Sequence, residues 1–543
     1  LTDLLPDPDL LSLGEQVAQM LVVRASGHLF DHQIQYPSWE PPADVLQHWL
    51  QDLRVGGVIF LGGSAGELAW RCQQVQDWAA IPLFLAADIE EGVGQRFAGA
   101  TGFPPPLALA AIAQRPDGGL EQAQSLAYEM GAWTAQEAAA IGLNWVLAPV
   151  VDVNNNPQNP VINVRAFGET PEMVSQLATA FIQGTQPYPV LTTAKHFPGH
   201  GDTATDSHLE LPVIPHGCDR LRRTEYPPFQ AAIAAHVDGV MSAHLLIPAL
   251  DPEYPATLSN RILTGELRQA LGFTGLIVTD ALVMGAIANQ YGANEAAVLA
   301  VAAGADILMM PADPPGAITA ICAAVEQGRI QPEQIQASLE RIWRAKQKIT
   351  TYPAKPSDPP TGELSTSMPI DLDRLATADA FSTATAILKA SQRVQGCITT
   401  VPANARTLIV VDDLLSCEFL GRKAPAIDRP RQQGYQVQII DGNTPDIPLE
   451  TTTTQPTFLQ LFIRGNPFRG STQLSSKAQA WFEFLLATHQ LQALAIYGSP
   501  YALAQFQSQL SEDIPCAFSY GQMPLAQNLL LNQFLTLSGA EKS

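Results

Sequence analysis

The chain has 543 residues, of which 46% are apolar and only 15% charged, and its acidic excess gives a net charge of -22. That length exceeds one ordinary domain and suggests two to four units, each with material for a core. The acidic balance excludes nucleic acid and anionic membrane as partners and points to neutral or small ligands.

In chain order, short apolar runs alternate with longer amphipathic stretches over roughly the first 350 residues. The predicted strands are QMLVVRAS, GGVIFLG, PLFLAADI, LNWVLAPVVDV, VLTTAKHF, GVMSAHLLI, GLIVTDAL and ADILMMP. Between them lie helical patterns such as PADVLQHWLQDL, EQAQSLAYEMGAWTAQEAAAIG, PEMVSQLATAFIQG and SNRILTGELRQALG, the last with Ser259 as N-cap and Gly272 as stop. Eight strands, each followed by helix, in residues 1–350 predict a (β/α)8 barrel. The Pro-, Ser- and Thr-rich run at 351–366 reads as a linker. Beyond it, TLIVVDD, YQVQIID, FLQLFIRG, LQALAIYGSP and CAFSYG predict a second α/β domain over 367–543, an open sheet with helices on both faces. No glycine-rich phosphate fingerprint follows its first strand, so no nucleotide role is expected.

The six cysteines, Cys72, Cys218, Cys322, Cys397, Cys417 and Cys516, lack paired spacing and read as ordinary thiols. No run of about 18 apolar residues could span a bilayer, and the N-terminus lacks a basic segment followed by an apolar one. These features lead us to expect a cytoplasmic chain, or a secreted or periplasmic one if a leader has been removed.

The functional signal lies at the strand ends. Asp88, Asp152, Lys195 with His196, Ser242 with His244, and Asp280 each follow a predicted strand, and in a barrel those C-terminal ends converge on one face. Asp280, delivered by the buried run LIVT, can act as base, metal ligand or covalent nucleophile; its structural alternative is an N-cap for the next helix. In the polar loop AKHFPGHGDTATDSH, Asp206 stands two residues before His208, close enough to fix the imidazole tautomer and make it a general acid and base. His196 and His200 have the spacing of a helical metal pair, but Pro198 and Gly199 break that helix and Lys195 adds a repelling cation, so no metal is expected. Asp88, Glu90 and Arg96 in DIEEGVGQRF, with Arg165 in NPVINVRAFG, suit vicinal sugar hydroxyls.

Together, KHFPGHGDTATDSH, DIEEGVGQRF, NPVINVRAFG, the run from Pro255 to Ile287 and GADILMMP resemble glycoside hydrolase family 3, in its β-N-acetylglucosaminidase branch. The resemblance covers nearly all of the first 350 residues and implies, for two-domain members, an αβα sandwich after the barrel. It implies Asp280 as nucleophile, His208 as acid/base assisted by Asp206, and Asp88, Arg96, Arg165, Lys195 and His196 holding the terminal sugar. The implied reaction is retaining, exo-acting removal of β-linked N-acetylglucosamine from muropeptides or chitin-type oligosaccharides, without cofactor. One departure stands out: the family usually reads Gln-Glu-Gly-Gly after the aspartate, and here the residues are Ile89-Glu90-Glu91-Gly92. Two other readings are a β-glucosidase or β-xylosidase of the same family, and an inactive barrel that senses peptidoglycan sugars. The acid within the barrel loop argues against the first, and the nucleophile opposite a poised proton donor against the second.

Overall fold

The computed structural model describes residues 5–203, 211–350, 369–414, 417–445, 455–464 and 476–536. The eight predicted strands of the first domain form β1 (Leu21–Ser26), β2 (Gly57–Leu61), β3 (Phe84–Ala87), β4 (Trp145–Val146), β5 (Leu191–Phe197), β6 (Gly239–Ser242), β7 (Leu276–Val278) and β8 (Leu308–Met309). Their order is β7-β6-β5-β4-β3-β2-β1-β8, all pairs parallel. A parallel bridge between Val278 and Ile307 joins the two ends into a barrel. Every residue of β1 and β5 is buried, as expected for strands covered outside by crossover helices and inside by the packed barrel interior.

Local sequence sets the crossover helices. Ser64 caps the helix Ala65–Trp78 by accepting from the Glu67 N–H at 3.2 Å, and Thr170 caps Pro171–Thr185 by accepting from the Met173 N–H at 3.3 Å. At the expected helix after Ser259, the Ser259 hydroxyl does accept from the Ile262 N–H, at 3.2 Å, and Gly272 takes a left-handed φ of 68°. The helix itself, Arg261–Ala270, is wound with the wider π spacing, a feature the sequence pattern did not signal.

The second domain holds β9 (Arg393–Gln395), β10 (Arg406–Val411), β11 (Gln436–Ile440), β12 (Thr457–Ile463), β13 (Leu491–Gly498) and β14 (Cys516–Ser519), in the order β11-β10-β12-β13-β14-β9. The five predicted strands are parallel; β9 is an antiparallel edge strand whose three residues are all exposed, so no apolar pattern marked it. Helices Ser476–Ala487 and Pro500–Gln507 pack one face through Phe482 and Phe506, and Pro425–Gln432 and Pro524–Phe534 pack the other through Ile427 and Phe534. This is the expected αβα sandwich. The expected linker, 351–366, lies outside the described residues. All six cysteines are free thiols, and among the described residues no helix is long and apolar enough to cross a membrane.

The barrel seam depends on a buried charge. Asp306, fully buried just before β8, accepts from Arg268 at 2.6 Å, Arg341 at 2.8 Å, Ser338 at 2.8 Å and the Ile277 N–H at 2.8 Å, so two helices and β7 are tied to one carboxylate. Asp306→Ala would leave two guanidinium groups without their buried partner and should destabilise the barrel by about 3–5 kcal/mol. Thermal unfolding checks this, and an unchanged melting temperature would contradict it.

Candidate active site

The predicted strand-end residues do meet at one end of the barrel. At its centre stands Lys195, near the end of β5 and only 2% exposed, whose Nζ donates to Asp88 Oδ1 at 2.7 Å and to Glu90 Oε1 at 2.6 Å. Arg165, on the loop after β4, donates from Nε and Nη2 to the two oxygens of Glu90 at 2.8 Å each and from Nη1 to the Val161 carbonyl at 2.9 Å. Burial opposes charge on Glu90, but Arg165 and Lys195 outweigh it and hold the carboxyl well below its ordinary range. Burial likewise opposes charge on Lys195, which Asp88 and Glu90 nevertheless hold above its ordinary value. Glu90 and Lys195 thus keep their charges although both are buried. Arg96, exposed at the rim, donates from Nε to the Asp88 carbonyl at 3.1 Å, which folds the β3 loop back on itself.

A bulge in β5 between Lys195 and Phe197 re-aims the adjacent His196. Its Nδ1 lies 2.7 Å from Oδ2 of Asp152, a fully buried carboxylate that also accepts the backbone N–H groups of His196 and His200, the latter at 2.7 Å. This contact fixes the orientation of the His196 ring. Burial penalises the charge on Asp152, yet His196 and the other histidine contacts lower its pKa. Sequence placed Asp152 at a strand end without giving it a role; its role is to orient His196.

The remaining polar loop is locked from below. A Cβ on Gly201 would lie 1.7 Å from the Val153 carbonyl oxygen, so only glycine lets this loop approach the segment after β4 so closely. Asn159 donates to the carbonyls of His200 and Gly201 at 2.8 and 2.9 Å and accepts from the N–H groups of Val161 and Ile162. It joins the loop after β5 to the loop that carries Arg165. Burial pushes the His200 ring down to about 4, so it is neutral at neutral pH, and its Nδ1 lies 2.9 Å from Thr203 Oγ1. Asn159 was not singled out in the sequence, although the run NNNPQNP carries the side-chain-to-backbone chemistry that fixes such loops.

Asp280 lies half-buried two residues after β7, accepts from the Ala281 N–H at 2.8 Å, and its charge acts on His200. It is not an N-cap: the next helix begins at Gly285, with Met284 before it. His244 reaches the Ala281 carbonyl through Nε2 at 3.1 Å and Thr257 Oγ1 through Nδ1 at 2.8 Å, and Ser242 donates to the same Thr257 hydroxyl at 2.9 Å. His244 thereby braces the backbone beside Asp280, and Ser242 shares its Thr257 partner. Asp206 and His208 lie outside the described residues, as does the segment 204–210.

Beneath the loop is a carboxyl that nothing in the local residue pattern singles out. Glu225 is 1% exposed and lies against Gly199; its Oε1 accepts from Arg220 at 2.9 Å, while Oε2 has no hydrogen-bond partner among the described residues. Burial outweighs Arg220 and, with Asp152 and Asp202 nearby, pushes Glu225 up to about 7. The folded state therefore binds this proton more tightly than the unfolded chain. Its stabilisation is full below the ordinary value of 4.5 and is lost as pH rises through about 7, a change of roughly 3 kcal/mol. Glu225→Gln should melt progressively higher relative to the parent between about pH 5 and about pH 8. A melting-temperature difference independent of pH would contradict the assignment.

Known proteins match both domains. Residues 12–345 match the Glycosyl hydrolase family 3 N terminal domain, and residues 399–536 the Bacterial Glycosyl hydrolase family 3 C-terminal domain. Beta-hexosaminidase A of Pseudoalteromonas piscicida is 35% identical over 297 residues, 50% of this chain and 49% of that protein. The Beta-N-acetylglucosaminidase/beta-glucosidase of Cellulomonas fimi is 30% identical over 316 residues, 56% of this chain and 54% of that protein, so the chain spans about half the length of these two relatives. The solved structure of a glycoside hydrolase family 3 beta-N-acetylglucosaminidase from Paenibacillus sp. str. FPU-7 superposes with a TM-score of 0.74 at 30% identity, covering 97% of this chain and 98% of that one.

Proposed function

We propose that this chain, which belongs to glycosyl hydrolase family 3, removes non-reducing terminal β-linked N-acetylglucosamine from oligosaccharides with retention of configuration. The observation that carries the reading is the ion-paired set Asp88, Glu90, Arg165 and Lys195, with Lys195 and Glu90 buried at its centre and Asp152-braced His196 beside it, gathered at the barrel end where β7 leads to Asp280. Such a set offers fixed donors and acceptors to a ring of hydroxyls and leaves little water to compete.

In this mechanism Asp88, Arg165, Lys195 and His196, with Arg96 at the rim, hold the terminal sugar. Asp280 attacks the anomeric carbon while His208, its tautomer held by Asp206, gives a proton to the departing glycosidic oxygen. The product is a glycosyl ester on Asp280 and a free alcohol. His208 then takes a proton from water, which attacks the same carbon and releases the sugar, regenerating the carboxylate. Histidine as the acid keeps a second permanent anion away from Asp280. The names of the Pseudoalteromonas and Paenibacillus relatives support the acetamido sugar. The double name of the Cellulomonas relative supports a second reading, in which the same site also accepts a β-glucoside.

Release of nitrophenol from the β-N-acetylglucosaminide and the β-glucoside, run side by side, tests the substrate. Turnover of the acetamido sugar is expected to dominate, and turnover of the glucoside alone would overturn the reading. For the acid, His208→Ala should lose at least about tenfold more kcat/KM on a disaccharide than on the nitrophenyl glycoside, whose leaving group needs no proton. Equal losses on the two substrates would remove His208 from that role.

A further inference from the structure

The departure at Glu91 has a partner in the other domain. Glu91 is 5% exposed, and both of its carboxylate oxygens are taken by the guanidinium of Arg464, with Nη1 at 2.9 Å from Oε2 and Nη2 on Oε1. Arg464 immediately follows β12, so the carboxyl end of the second sheet faces the barrel site. The turn that Arg464 grips is the one that delivers Asp88 and Glu90 to Lys195.

A second grip comes from the end of the neighbouring strand, β13. Ser499, 3% exposed, donates to Asn163 Oδ1 at 3.2 Å. Tyr501 donates through its hydroxyl to Glu169 at 2.6 Å and accepts from Asn154 Nδ2 at 2.7 Å. Asn154 in turn accepts from the Asn163 N–H at 3.1 Å, and Asn163 stands two residues before Arg165. Arg464 and Tyr501 therefore hold, from one domain, the two separate loops of the other domain that carry Glu90 and Arg165.

We propose that the second domain is a clamp on the sugar site, with Arg464 and Tyr501 as positioning residues that set the Glu90–Arg165–Lys195 geometry; this rests on the reading of that geometry as the sugar site. Neither residue need touch substrate. Removing Arg464 would leave Glu91 buried beside Glu90 without its cation, and the β3 turn would relax to hydrate it. The effect belongs to binding of the terminal sugar, because the nucleophile and acid sit on other loops.

The experiment measures kcat and KM on both nitrophenyl glycosides, and monosaccharide affinity by calorimetry, for the full chain and its variants. Arg464→Ala should raise KM and the dissociation constant about tenfold with kcat within about threefold. Arg464→Lys, which keeps the charge but loses the fork, should fall between. The double variant Glu91→Gln with Arg464→Ala should recover most of the loss, because no unpaired buried anion remains at position 91, and it serves equally if Arg464→Ala alone fails to fold. Tyr501→Phe should raise KM in the same direction. Unchanged KM and affinity across these variants, with only the melting temperature lowered, would reduce the contact to domain glue and overturn the clamp. A parent that neither binds nor turns over either sugar overturns the functional reading and the clamp with it.

Discussion

The site is organised around one buried ammonium group. Lys195 is 2% exposed, and a lysine there stays charged only if carboxylates come to it. Asp88 and Glu90 do so from the end of β3, and Glu90 then requires Arg165 from the loop after β4. Each added charge is tolerated because the next one balances it. The result is a rigid array of donors and acceptors whose positions are fixed before any ligand arrives, which is the property a polyhydroxylated substrate exploits.

That constraint propagates outward through backbone hydrogen bonds more than through side-chain contacts. Asp152 holds both the His196 ring and the amide of His200, Asn159 ties the same loop to the Arg165 loop, and His244 braces the residue after Asp280. At the seam of the barrel, Asp306 plays the corresponding structural part with two arginines. The second domain joins this scheme through Arg464 on the β3 loop and Ser499 and Tyr501 on the loop after β4.

Much of this was legible in the sequence, for definite reasons. Buried parallel strands are apolar runs, and a polar residue ending such a run has few places to go except the barrel mouth; Asp88, Asp152, Lys195 and Asp280 were found that way. Ser242 and His244 obeyed the same rule yet bind Thr257, because position at a strand end does not distinguish a residue facing substrate from one facing Thr257. Glu225 was illegible because its importance comes from what folds over it, and Asn159 showed only as one of several asparagines in NNNPQNP. Strand β9 was missed because its residues are exposed and short of apolar alternation. Contacts across domains, such as Glu91 with Arg464, leave a trace in sequence only as a departure from an expected glycine.

The proposed chemistry converges on Asp280, and its most direct test is to trap the ester it should form. The His208→Ala variant, mixed with an activated aryl β-N-acetylglucosaminide and quenched in acid, is digested and its peptides weighed. The account predicts one N-acetylglucosaminyl mass on the peptide containing Asp280, absent in Asp280→Asn. Turnover without such an adduct, or an adduct on another carboxylate, would contradict it.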